Sequence, residues 1–160
     1  MSFTNRASHV DDGQQNASRP DDCNATAGDA LHKRAQSRRV LVVDDNHDAS
    51  ASLAILLRLL GHAVVVAEDG HATLCLVEAG HSFDVALLDI GLPGMSGHEL
   101  ARSLRHRFPQ PVLRLVALTG HGLPPTTISG SGSGFDDYFV KPVNFEALLV
   151  SIGKAGRPRD

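Results

Sequence analysis

Five polar residues of this 160-residue chain each follow directly on a short apolar run. Asp44 and Asp45 follow residues 40–43, Asp89 follows 83–88, Thr119 follows 112–118, and Lys141, with Pro142 behind it, follows 138–140. If those runs are strands of one parallel sheet, all five side chains emerge at the same edge. Three carboxylates gathered there repel one another by several kcal/mol at the effective dielectric of a protein rim, unless protons or a cation relieve them. An oxygen-lined site with open positions suits Mg²⁺, which keeps several waters and takes few carboxylates plus phosphate. A divalent ion, a carboxylate nucleophile, a lysine point charge and a hydroxyl donor are together the parts for phosphoryl transfer onto Asp89. The metal and Lys141 would stabilise negative charge on the equatorial oxygens, and Thr119 would donate to one of them afterward. A lone Asp at a strand end is ordinarily a helix cap or a loop solvator; five such residues at matching strand ends are much harder to explain that way.

The elements that must position these residues are written in alternating periodicities. Short β-branched or apolar runs at 40–43, 64–67, 83–88, 112–118 and 138–140 read as strands, the third being apolar throughout apart from Asp84, as a strand buried on both faces requires. Between them, Leu53, Leu56, Leu57 and Leu60 recur as the stripe of an amphipathic helix stopped by Gly61. Ala72, Cys75, Leu76 and Ala79 mark a second helix closed by Gly80, and Leu100, Ala101, Leu104 and Phe108 a third. Asn144 can cap a last helix with the stripe Phe145, Leu148, Leu149 and Ile152. Five strands alternating with helices imply right-handed βαβ units and an α/β, doubly wound, five-stranded parallel sheet covered on both sides, with its site at the carboxyl ends of the strands. Residues 123–134 have the length of a further helix but contain two Pro and three Gly among Ser and Thr, so one ragged turn followed by flexible chain is expected there.

Composition divides the chain once. Residues 1–39 contain one Leu, Phe3 and Val10 and no Ile, too little apolar surface to offset the entropy of ordering, and are expected to be a disordered tail. Residues 40–155 are expected to form one domain, with 156–160 a disordered end. The tail carries six basic and five acidic residues, which leaves nine against thirteen, a net of −4, for the remainder of a chain whose total is −3. A mildly acidic domain lacks the basic face that phosphate binding needs, so direct DNA binding is not expected. The one basic concentration, Lys33, Arg34, Arg38 and Arg39, reads as solvated residues flanking the first strand. Cys23 and Cys75 have no metal spacing and suit a reducing cytosol; no apolar run approaches the roughly 18 residues of a membrane span, and the amino terminus lacks a signal peptide's apolar core. A soluble, cytoplasmic protein without membrane association is expected. His47, His62, His71, His81, His98, His106 and His121 lack ligand spacing and are expected at the surface, His121 being of interest for lying two residues after Thr119.

Four segments, Val-Leu-Val-Val-Asp-Asp-Asn at 40–46, Leu-Leu-Asp-Ile-Gly-Leu-Pro-Gly-Met-Ser-Gly at 87–97, Val-Ala-Leu-Thr-Gly at 116–120 and Tyr-Phe-Val-Lys-Pro-Val at 138–143, resemble the receiver domain of two-component response regulators in order and spacing. The wording is similar to receivers of hybrid sensor kinases and to single-domain response regulators. The resemblance implies a flavodoxin-like three-layer sandwich whose fourth helix, over residues 123–134, is degraded or disordered here. It implies that Asp89 is the phosphoacceptor, taking a phosphoryl group from a phosphohistidine on a histidine kinase or histidine phosphotransfer protein. It also implies that Asp45 and Asp89 contact Mg²⁺ directly, Asp44 largely through water, and Gly91 through its carbonyl. Thr119 and Tyr138 match the switch pair, in which the hydroxyl moves to the phosphoryl group and the ring turns inward, and Lys141 matches the phosphate-binding lysine, its bond to Pro142 being cis in the family.

With seven residues after Gly153, output is expected through a protein partner or onward phosphoryl relay, from a switch that is not itself an enzyme. Two other classes stay open. A phosphatase with an aspartyl nucleophile, of the haloacid dehalogenase type, would carry an acidic residue two positions after Asp89, where this chain has Gly91. A binding module that keeps only the fold would not need all five strand-end residues.

Overall fold

The computed structural model describes residues 36–120 and 134–156. Five strands, β1 (Arg39–Val43), β2 (Ala63–Ala67), β3 (Val85–Asp89), β4 (Arg114–Thr119) and β5 (Asp137–Val140), form one parallel sheet in the order β2-β1-β3-β4-β5. The described helices are α1 (His47–Leu59), α2 (Gly70–Glu78), α3 (Gly97–Arg107) and α4 (Phe145–Gly153). Strand alternation divides the core between the two faces. Leu41, Val43, Ala86, Leu88 and Leu115 pack under Val77 of α2 and Leu100, Ala101 and Leu104 of α3. Val40, Val42, Val85, Leu87, Val116 and Leu118 pack under Ala54 and Leu57 of α1 and Leu148 and Ile152 of α4. This is the doubly wound three-layer sandwich that the alternating periodicities imply. The reading for residues 123–134 lies, apart from Gly134, outside the described residues, as does His121.

Each helix starts where a polar side chain satisfies an otherwise unpaired amide. Asn46 accepts from Ala49 N at 3.1 Å, Asp69 from Ala72 N at 2.7 Å and Asn144 from Ala147 N at 3.0 Å. Ser96 and Glu99 form a reciprocal capping box at the start of α3. Gly61 (φ 88°) and Gly80 (φ 93°) end the first two helical segments in the left-handed region that only glycine adopts freely.

Two helices turn only half of their sequence stripes to the core, Leu53 and Leu57 on one and Ala72 and Leu76 on the other. On α1 the buried residues are Ser50, Ala54 and Leu57, while Leu56 points out with Ile55 and Leu59, which are 56% and 69% exposed. On α2 they are Gly70, Thr73 and Val77, whereas Cys75 and Ala79 are exposed. In both cases small residues share the buried face with one larger aliphatic side chain, Leu57 or Val77, and apolar side chains occur around so much of the helix that periodicity does not fix one face. Thr73 tolerates full burial because its hydroxyl donates to Asp69 O at 2.9 Å.

The folded region also begins earlier than the expected boundary at Val40. Arg39 opens β1 and, instead of being merely solvated, pairs with buried Asp84. Arg38 is 5% exposed, its guanidinium donating to Gly156 O at 2.8 Å, so Gly156 too is tied to the fold. His62 is buried rather than at the surface. Its Nδ1 accepts from Arg38 N at 3.2 Å, and burial, aided by the Arg38 charge, holds its pKa below the ordinary histidine value.

Candidate functional site

Parallel register aligns the strand ends. Val43 pairs with Leu88, Asp89 with Leu118, and Thr119 with Val140, so Asp44, Asp89, Thr119 and Lys141 stand within one residue of a common edge. The main chain continues the ladder past the strands, with Asp44 N donating to Ala67 O, Ile90 N to Leu118 O and Lys141 N to Thr119 O. Side chains at this edge are therefore placed by the sheet and not by flexible loops.

Lys141 Nζ lies 2.7 Å from Asp44 Oδ2 and 2.9 Å from Asp89 Oδ2 and bridges the two. Their other oxygens are occupied by the local backbone, Asn46 N donating to Asp44 Oδ1 and Gly91 N to Asp89 Oδ1, each at 2.9 Å. Burial opposes the charge on Lys141, but its hydrogen bonds and proximity to Asp44 and Asp89 outweigh that, and its pKa is raised above the ordinary lysine value. Asp45 completes the cluster from the exposed side, with one carboxylate oxygen from each of the three Asp within 4.8 Å of the others. Asp44 and Asp89 are buried and Asp45 is open to solvent.

Three carboxylates against one ammonium leave the site negative. A hard divalent cation fits this donor set, which is all oxygen and leaves the exposed side for water. Thr119 is fully buried, and its Oγ1 has no hydrogen-bond partner among the described residues. An orphaned buried hydroxyl is costly and rare in folded proteins. Here it suits a site that awaits a further oxygen.

The structure thus gathers Asp44, Asp45, Asp89 and Lys141 directly, sets Thr119 beside them on the sheet edge, and places Gly91 next to Asp89 through its amide. Tyr138 lies farther back on β5, opposite Ala117, with its half-buried ring edge-on to Phe135. The Lys141–Pro142 peptide is cis, as the resemblance implies, and so is Gln110–Pro111.

Sequence reasoning missed the supports. Gly97, the first residue of α3, packs so tightly that a Cβ there would lie 2.4 Å from Asp89 O. Asp136 and Asp137 fasten the start of β5 on opposite sides, Asp136 to Arg105 and to Leu115 N, and Asp137 to Arg114 and Ser151. The signal was available: a glycine directly after a Ser cap, and paired acids at the start of a short edge strand.

The fold is thus a doubly wound parallel sheet with an oxygen-rich, lysine-bridged acidic cluster at its carboxyl edge. Residues 40–153 match the family model of the response regulator receiver domain, and the chain belongs to that family. It is 36% identical over 125 residues to the CAI-1 autoinducer sensor kinase/phosphatase CqsS of Vibrio cholerae, covering 76% of this chain and 18% of that protein. A response regulator of Burkholderia pseudomallei, solved with a phosphorylated aspartic acid, calcium ion and citrate, is similar at a TM-score of 0.64 and 31% identity, over 72% of this chain and 66% of that one. The response regulator TrrA of Thermotoga maritima, solved in complex with Mg(2+)-BeF, is similar at 0.62 and 31%, over 73% and 97%. The chain spans less than half the length of the curated relatives it matches. It is a receiver domain of the two-component type, a signalling module. No helix among the described residues is long and apolar enough to cross a membrane.

Proposed function

We propose that Asp89 accepts a phosphoryl group from a phosphohistidine on a histidine kinase or histidine phosphotransfer protein, and that the resulting acyl phosphate changes what the domain binds. The observation that carries this reading is the Lys141 bridge, an ammonium held at 2.9 Å from Asp89 and 2.7 Å from Asp44 beside the unpartnered Thr119 hydroxyl. A carboxylate oxygen of Asp89 forms the new bond to phosphorus as the phosphorus–nitrogen bond to the donor imidazole breaks, and the electron pair leaves with that ring. Lys141 and the Thr119 hydroxyl hold two of the transferred oxygens, Lys141 by charge and Thr119 by donating a hydrogen bond.

Asp45, Asp89 and the Gly91 carbonyl would hold Mg²⁺, with Asp44 acting through water, and the ion would neutralise charge on the phosphoryl oxygens. Thr119 and Tyr138 form the switch. The domain turns over no substrate of its own, since Gly91 offers no acid or base two positions after Asp89. It works in the cytoplasm and signals through protein partners, without binding DNA or membrane itself.

The test is incubation with Mg²⁺ and acetyl phosphate, read by intact mass or phosphate-affinity gel. A labile phosphoryl adduct is expected on the wild type and none on Asp89→Ala. Steady release of phosphate with rapid turnover would instead support a phosphatase, and an unmodified wild type a binding module that keeps only the fold.

A further inference from the structure

The two edges of the sheet are built differently. β5 is short and bounded by charge, with Asp136 and Asp137 at its start and Lys141 directly after its end. β2, Ala-Val-Val-Val-Ala over Ala63–Ala67, carries neither charge nor proline, and among the described residues it is the last strand on its side of the sheet. An edge of that composition is a template for a further strand unless something blunts it.

The ladder to β1 fixes which groups of β2 face outward. Ala63 N donates to Arg38 O, and Ala67 O accepts from Asp44 N. Alternation along the strand therefore turns the amides and carbonyls of Ala63, Val65 and Ala67 toward β1 and those of Val64 and Val66 away from it. Among the described residues, one of these outward groups has a partner: Arg58, in the last turn of α1, donates from Nη2 to Val64 O at 2.8 Å. On the side of α2 the edge opens into a groove lined by Val66, Ala67, Ala72, Cys75 and Leu76, together with exposed Glu68.

We infer that β2 pairs antiparallel with β2 of a second copy of this chain, about a two-fold axis at Val65. The edge complements itself. With Val65 on the axis, Val64 of each copy stands opposite Val66 of the other, and every outward N–H meets an outward C=O once Arg58 lets go of Val64 O. Charge follows the same symmetry. Glu68 of each copy falls opposite residue 62 of the other, at the strand end where Arg58 reaches the edge, so the guanidinium exchanges a carbonyl for a carboxylate. Ile55 lies one turn before Arg58 on the same side of α1 and is exposed. A two-fold axis normal to the sheet keeps both α1 helices on one face, where each Ile55 is covered by the other helix. A second copy is favoured over an unrelated strand because this edge supplies both members of the charge pair. Antiparallel pairing also sends the carboxyl edges of the two sheets in opposite directions, which leaves both Asp89 sites open.

The test follows full-length ¹⁵N-labelled protein by sedimentation and amide hydrogen exchange over about a hundredfold range of concentration. The mass of two chains is expected at the upper end, with the Val64 and Val66 amides exchanging at least about tenfold more slowly there than at the lower end. Arg58→Glu and Glu68→Arg should each weaken association by about tenfold, and both together in one chain should restore it to within about threefold of wild type. Ile55→Glu, a change at an exposed position, should weaken association without lowering the thermal midpoint of the monomer. A protein that stays monomeric throughout overturns the inference, as does a double charge swap that associates no better than the single ones. Protection of Val64 and Val66 that does not depend on concentration overturns it too, and would mean that another segment of the same chain covers the edge.

Discussion

Lys141 is the residue on which the site's chemistry and its electrostatics meet. Removing its ammonium in Lys141→Met leaves Asp44 and Asp89 facing each other without a bridge, and adduct formation from acetyl phosphate should slow by about a hundredfold, read from the initial rate of the mass shift. Burial lowers the Lys141 pKa, and the bonds to Asp44 and Asp89 raise it by more. A group whose folded pKa is raised contributes stability that is fully present below its unfolded pKa and lost as pH rises through the folded one. Urea midpoints of the wild type should therefore fall relative to Lys141→Met only above about pH 10. Asp84 runs the opposite way. Burial raises its pKa, and side-chain and backbone hydrogen bonds from Arg39, helped by the Arg39 and Arg38 charges, lower it by more. Its contribution is present above the unfolded carboxylate pKa and disappears as pH falls through the folded value. Asp84→Asn should thus be less stable than wild type near neutrality, and the gap should close below about pH 4. From the sequence Asp84 was visible only as a flaw in an apolar strand, because its partner Arg39 lies 45 positions away and pairs with it only once β1 and β3 are adjacent.

Helices were more legible in their existence than in their orientation. The cap Asn144 was read from the sequence; Asn46, Asp69 and Ser96 are equally local and cap the other three described helices. Which face turns inward is decided by the packing, and the buried residues of α1 and α2 include Ser50, Gly70 and Thr73, none of which an apolar stripe would select. Gly97 and Gly70 make the consequence testable. A methyl at Gly97 would meet backbone, Asp89 O at 2.4 Å and Ile90 Cα at 2.8 Å, which can give way only if α3 moves off the Asp89 loop. A methyl at Gly70 would meet Met95, whose Sδ at 3.0 Å belongs to a flexible side chain. Gly97→Ala should cost about 1–3 kcal/mol by urea unfolding and also slow adduct formation on Asp89. Gly70→Ala should stay within about 1 kcal/mol of wild type, since crowding is offset by the better helix propensity of Ala, and should leave adduct formation unchanged. Equal losses at the two positions would refute the view that α3 is what fixes the Asp89 loop.

At the scale of the whole molecule, the site was readable because parallel topology turns a one-dimensional pattern into a shared edge. Asp44, Asp89, Thr119 and Lys141 are scattered over 97 positions, yet each follows a buried run, and the right-handed winding of βαβ units brings all such ends together. That Arg105 meets Asp136 was not readable, because the pairing depends on side-chain geometry between α3 and the start of β5, which no periodicity encodes. The shared edge has a thermodynamic consequence. Folding concentrates three carboxylates against one ammonium, a repulsion the unfolded chain does not have, so a cation that binds only the folded state stabilises the entire domain. At Mg²⁺ a hundredfold above its dissociation constant, the gain should be about 2.7 kcal/mol, or about 10 °C in thermal midpoint for a domain of this size. Asp45→Asn is the discriminating variant, since Asp45 is solvent-exposed and lies outside the Lys141 bridge. Its midpoint in EDTA should equal or slightly exceed that of wild type, because one repelling charge is gone, whereas the rise on adding Mg²⁺ should be largely lost. A Mg²⁺-induced rise that survives intact in Asp45→Asn would place the ion elsewhere, and no rise in the wild type would mean that Lys141 alone suffices to hold the acidic edge together.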